Sequence, residues 1–145
     1  MNIIASCIFV LLGIVAVLHA AWAMGVVWPA DDESALTRAV IGTPDATKLP
    51  SRGLNLIVAL LIFLAAVWPI AWRGILPYPH IVPQTLIWLG MWVLAFIFLV
   101  RGTVGLTPLM GQTEQPFASF NRRYYSPLCI LLGLGFLALV LEPVF

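Results

Sequence analysis

Charged side chains are scarce in this chain. Asp, Glu, Lys and Arg make up 9% of its 145 residues, against about 25% in a soluble domain. Hydrophobic residues reach 62% and the mean hydropathy is +1.05. Too few polar groups exist to cover a water-soluble fold of this size, so the expected solvent is a lipid bilayer. An excess of either sign is missing as well. A net charge of +1 gives no basis for binding nucleic acid or an acidic partner. Cysteine is limited to Cys7 and Cys129. They lack the spacing of a redox or zinc pair and read as small buried hydrophobes. His19 and His80 are the only histidines and belong to separate stretches, which disfavours a bis-histidine haem or metal site. A Gly-rich phosphate loop, a Ser/His/Asp set, a His-Glu-x-x-His motif and a carboxylate pair within a span are all absent. No metal and no cofactor is expected.

What the sequence does contain is long apolar runs. The first, Ile3 to Trp28, has no formal charge. Ala21-Trp22-Ala23 resembles a signal-cleavage site, but no basic segment precedes the run and it is too long for a signal core. A retained first helix is predicted. Further spans are predicted at about 54–72, 84–106 and 126–142. The fold class is therefore all-α: a four-transmembrane-helix bundle forming a single membrane domain over 1–145.

The connections carry most of the charge. Pro29 to Gly53 holds turns at Thr43-Pro44-Asp45 and Leu49-Pro50-Ser51. Between Ser34 and Ile41 a short helix is predicted, capped by Asp31 or Asp32. Gly74 to Pro83 reads as a tight turn around Pro77, Tyr78, Pro79 and His80. Thr107 to Tyr125 is the second long loop, in which Gln115-Pro116 opens a short interfacial helix. That helix would place Phe117, Phe120 and Tyr124 on one face, with Arg122 and Arg123 off it. Glu142-Pro143 ends the last span. In Asn121-Arg122-Arg123-Tyr124-Tyr125-Ser126-Pro127 the order is arginine, tyrosine, then the apolar run from Leu128, which is the order a membrane interface selects. Six Lys and Arg (Arg38, Lys48, Arg52, Arg101, Arg122, Arg123) fall on the side of the two longer loops and one, Arg73, on the other. The positive-inside rule then puts both longer loops in the cytoplasm and the N and C termini outside. The expected location is the cell inner (cytoplasmic) membrane.

Polar residues within spans are costly and informative. At about 1.5 Å per residue, His19 lies roughly 22 Å from the outer start of the first helix, and Arg101 roughly 22 Å from that of the third. Both fall in the inner-leaflet half, with Asn55 and Thr103 slightly nearer the cytoplasm and Asn121, Tyr124 and Cys129 entering from the fourth helix. Cys7 lies near the outer end, which disfavours a Cys7–Cys129 bridge. Arg101 can snorkel to the interface, or it can face inward and hold an anionic group. Glu114, Asp31, Asp32 and Glu33 are its candidate protein partners. His19 shares a helix face with Val15, Trp22 and Val26, beside a strip of Gly13, Ala16 and Ala20 that invites close helix contact. It reads as a neutral imidazole bonded across helices, or as an acid–base group.

Three pieces then carry a resemblance: His19-Ala20-Ala21-Trp22-Ala23-Met24-Gly25, Arg101-Gly102-Thr103-Val104-Gly105, and Pro116-Phe117 continuing through Asn121-Arg122-Arg123-Tyr124-Tyr125-Ser126-Pro127-Leu128-Cys129. In order and spacing the chain resembles a family of small four-helix bacterial membrane proteins known only as a domain of unknown function. The resemblance covers nearly the whole chain, and Tyr-Ser-Pro-Leu-Cys is its most specific part. It implies the topology and a shared polar cluster, and it implies no activity. The family pattern commonly has aspartate where this chain has Asn121, so a salt bridge there is not carried over.

His19, Trp22, Arg101, Asn121, Arg122 and Tyr124 are thus the candidate ligand-binding residues. The first function they suggest is binding of a lipid, quinone or other amphipathic molecule, with its apolar part between helices. A second is a small membrane enzyme on a hydrophobic substrate, with His19 as acid or base and Arg101 as electrostatic stabiliser. A third is a structural or assembly subunit, as a homo-oligomer or with a membrane partner, in which the polar groups only fix helix register. A channel is disfavoured, because four helices make a poor pore alone.

Overall fold

The computed structural model describes residues 3–42, 48–75, 82–107 and 114–142. The turns expected at Thr43-Pro44-Asp45 and around Pro77, Tyr78, Pro79 and His80, and the stop at Pro143, lie outside the described residues. Every regular element among the described residues is helical: α1 (Ile3–Ala23), α2 (Glu33–Val40), α3 (Arg52–Trp72), α4 (Gln84–Gly105), α5 (Phe117–Phe120), a π-helical turn (Asn121–Tyr125) and α6 (Ser126–Leu141). α5, the π-turn and α6 run on as one apolar segment, Phe117–Leu141. With α1, α3 and α4 it makes four segments long and apolar enough to cross a membrane. The protein is a multi-pass membrane protein with a four-helix bundle.

Local chemistry sets the helix ends. α1 stops at Ala23, short of the expected Trp28, because Gly25 takes a left-handed φ of 90°. The Val26 N–H then donates back to Ala21 O at 3.0 Å, and the Gly25 N–H to Trp22 O at 3.0 Å. These two bonds form a Schellman stop, which favours glycine at that position. Gly74, at φ 63°, stops α3 in the same way. α3 begins before Leu54 because the Ser51 side chain accepts from the Leu54 N–H and caps a helix starting at Arg52. Asp32 caps α2 by accepting from the Ala35 N–H at 2.8 Å. The last span also starts earlier than expected, since the short helix at Phe117 feeds straight into it through the π-turn.

The bundle is antiparallel. α1 packs along α3, α4 packs along α6, and contacts of α3 with α4 and of α1 with α6 close the ring. α1 and α4 therefore lie on a diagonal. Between hydrocarbon-solvated helices the apolar side chains gain little from leaving lipid, so close packing and interhelical hydrogen bonds hold the bundle. Ala5, Ala66 and Met91 are fully buried, and the rings of Phe98 and Phe136 stack at 5.7 Å. A Cβ on Gly102 would lie 2.9 Å from Ser126 O and from Ile130 N, and one on Gly133 would lie 2.9 Å from Leu99 N. Backbones therefore meet along the α4–α6 seam. Of the small-residue strip on α1, Ala16 is buried, but nothing lies within 4 Å of a Cβ placed on Gly13. The buried stripe of α1 reaches Ala16 through Ala5, Ile8 and Leu12. At the end where α1 begins, the Trp72 indole donates to Leu139 O at 3.1 Å and Arg73 pairs with Glu142. At the opposite end α2 packs against α5.

Candidate functional site

The candidate residues gather at the α2/α5 end of the bundle, in two separate groups. The first is a polar lock between α4 and the π-turn. Arg101 Nη2 donates to Asn121 Oδ1 at 3.0 Å, and Asn121 Nδ2 donates to Gly105 O at 2.8 Å. Ser126 Oγ donates to the same Asn121 Oδ1 at 3.2 Å. Asn121 and Ser126 are buried, at 3% and 0% exposure. The π-turn makes this possible. Five residues apart in an α-helix, Asn121 and Ser126 would point to different sides; the wider turn brings them together. Gly105 is part of the lock, since a Cβ there would run into Ser126 Oγ and Arg101 Nη1. The Arg101 partner is thus a neutral amide rather than Glu114, Asp31, Asp32 or Glu33. Arg101 Nη1 is buried and has no hydrogen-bond partner among the described residues.

The second group surrounds Trp22. His19 Nδ1 lies 2.9 Å from Val15 O one turn back in its own helix, and its ring packs on Trp22 at 4.8 Å. Its hydrogen bond is therefore made within α1 rather than across helices. None of the described interactions joins His19 to Arg101, and the expected cluster is divided between diagonal helices. The Trp22 indole donates to Trp28 O at 2.9 Å, which folds the chain after Gly25 back over the end of α1.

Trp22 forms one wall of an apolar groove of about 530 Å³. Leu18 lies beside it on α1. Leu36, Ala39 and Val40 of α2 form a second wall, and Phe120, Tyr124 and Tyr125 a third. The Tyr125 hydroxyl donates to Ala39 O at 3.1 Å and fixes α2 to the π-turn. Phe117 is buried and packs its ring on Tyr125 at 6.0 Å, while Phe120 packs on Tyr124 and Tyr125 at 6.3 and 6.4 Å. Arg123 lies over the Tyr124 ring at 5.5 Å, and Arg122 is exposed. On its other side Trp22 borders a smaller cavity of about 270 Å³, into which Glu33 and Arg52 also face. His19 lines neither space.

Of the six candidates, then, Arg101 and Asn121 are joined, His19 and Trp22 are joined, Trp22 and Tyr124 share the groove, and Arg122 stands in solvent or headgroups. Ser126 and the α2 wall are not among those candidates. Gly105 was legible in principle, four residues after Arg101 on the same helix face. The role of Ser126 was not, because it depends on the π-turn. Among the described residues no group of three or more His, Cys, Asp and Glu could hold a metal.

No curated protein and no solved structure matches the chain. A family model matches residues 12–136, which takes in both polar groups, the groove, the second and third apolar segments whole and most of the first and last. The chain belongs to the family described as Protein of unknown function (DUF3995).

Proposed function

We propose that the protein binds an amphipathic membrane lipid, with a chain lying in the groove between Trp22, α2 and Tyr124. The observation that carries this reading is the groove itself: an apolar space of about 530 Å³ at the level where the spans give way to charged connections. Pockets of this size, apolar with a few polar groups at the edge, suit small amphipathic ligands. The position suits a lipid, whose chain enters hydrocarbon there while its head stays among the polar connections. A quinone is less well served. The indole of Trp22 and the hydroxyl of Tyr125 both donate inward to backbone carbonyls, so neither is turned to a quinone oxygen. His19 lines neither of the two spaces, so they lend an acid–base role for it no support. The positive-inside count assigns the groove to the cytoplasmic leaflet of the cell membrane. With Cys7 and Cys129 replaced by serine, maleimide labelling of a Ser119→Cys variant only after the membrane is opened supports that side, and labelling of intact cells refutes it.

The groove is tested by filling it. Ala39→Trp puts an indole where the chain would lie. Losing about ten carbon–carbon contacts at ~0.1–0.2 kcal/mol each corresponds to roughly tenfold in affinity. Native mass spectrometry of the detergent-purified protein is expected to show lipid retention lowered by that amount. Unchanged retention in a folded Ala39→Trp variant would falsify the groove reading.

A further inference from the structure

The smaller cavity carries two opposite charges that do not satisfy each other. Glu33, the first residue of α2, and Arg52, the first of α3, both face it. Among the described residues the ion pair is Arg73–Glu142 at the other end of the bundle, and none joins Glu33 to Arg52. Glu33 Oε1 accepts from the Leu49 N–H at 3.3 Å, which ties its side chain down at the cavity wall. Its second carboxylate oxygen has no hydrogen bond among the described residues, and neither has the Arg52 guanidinium. A tethered anion and an exposed cation that line one space of about 270 Å³ without closing on each other complement a molecule carrying both charges in the reverse order. Trp22 is the wall shared with the apolar groove, so one molecule can reach both spaces by bending around the indole.

We infer that the smaller cavity is a headgroup site for a zwitterionic aminophospholipid whose chain occupies the groove. The inference rests on the groove reading. The phosphate meets Arg52, whose planar fork suits phosphate oxygens. The primary ammonium meets the free oxygen of Glu33, and the face of Trp22 provides a further cation contact. A lipid with an uncharged glycerol in place of the ammonium keeps the phosphate contact and loses the one to Glu33.

The test compares dioleoyl phosphatidylethanolamine with dioleoyl phosphatidylglycerol, titrated into the detergent-purified full chain and read by native mass spectrometry. Wild type is expected to prefer the ethanolamine lipid by about tenfold, the value of one charge-assisted hydrogen bond. Glu33→Gln keeps an acceptor for Leu49. It should abolish the preference by weakening the ethanolamine lipid alone, and its unchanged phosphatidylglycerol binding reports an intact fold. Arg52→Gln should weaken both lipids. Equal affinities in wild type, or a preference that survives Glu33→Gln, overturn the headgroup site and leave the groove standing if Ala39→Trp still lowers both lipids alike. If Ala39→Trp lowers neither, the groove fails and the headgroup site fails with it.

Discussion

At the scale of single residues, Asn121 has the most to account for. It is the buried partner of an arginine inside an apolar segment, and it satisfies a carbonyl and a hydroxyl at the same time. Among the described residues Arg101 Nη1 already lacks a partner, so the guanidinium has little to lose before its burial becomes unfavourable. Asn121→Ala takes the amide away and is expected to destabilise the protein by about 2 kcal/mol. Asn121→Asp restores an acceptor for Arg101 and Ser126 but turns a carboxylate oxygen toward Gly105 O, so its stability should fall between wild type and Asn121→Ala. Gly105→Ala, which drives a methyl into Arg101 and Ser126, should cost about 1–3 kcal/mol. Thermal unfolding in detergent gives the order directly. Asn121→Ala matching wild type would show that the lock contributes nothing.

At the scale of elements, α2 is where pH enters. The Ala35 backbone N–H, followed by the Ser34 side chain, holds the Asp32 carboxyl below the usual aspartate range. A depressed carboxyl stabilises the folded form above its unfolded pKa, and that contribution disappears as pH falls through the folded value. The first turn of α2 should therefore open in acid, exposing the Ala35 amide to hydrogen exchange, corrected for the intrinsic rate. Asp32→Asn, which caps without titrating, should remove the pH dependence. An Ala35 amide equally protected across that range would rule the cap out as the cause.

Elements also show how far the sequence could be read. Four spans and the α2 cap follow from hydropathy and capping chemistry. Depth along a helix does not give direction around the bundle, and α1 and α4 turned out to be diagonal. The π-turn left no periodic trace in Asn121–Tyr125, so the Asn121–Ser126 pairing and the continuity of α5 with α6 stayed hidden. Gly25 could have ended α1 on paper, but the apolar residues beyond it masked the stop.

At the scale of the whole molecule, the two ends of the bundle differ in kind. One end is tied by Trp72 and by the Arg73–Glu142 pair across the helix ends. The other is capped by α2 and the π-turn, with a hydrogen bond from Tyr125 to Ala39 holding them about an apolar space. The outer faces are plain hydrocarbon surface, with Val17, Leu60, Phe96 and Leu131 exposed to lipid. General solvation by the bilayer, at those faces, is therefore distinct from the proposed capture of one lipid chain at the capped end.

Photo-crosslinking with a phospholipid carrying a diazirine on its acyl chain, followed by peptide mapping, tests that separation most directly. Labelling concentrated on Trp22, α2 and the Phe120–Tyr125 stretch, and lost in Ala39→Trp, is the predicted result. Labelling spread evenly over Val17, Leu60, Phe96 and Leu131, with the groove no richer than those faces, would contradict it.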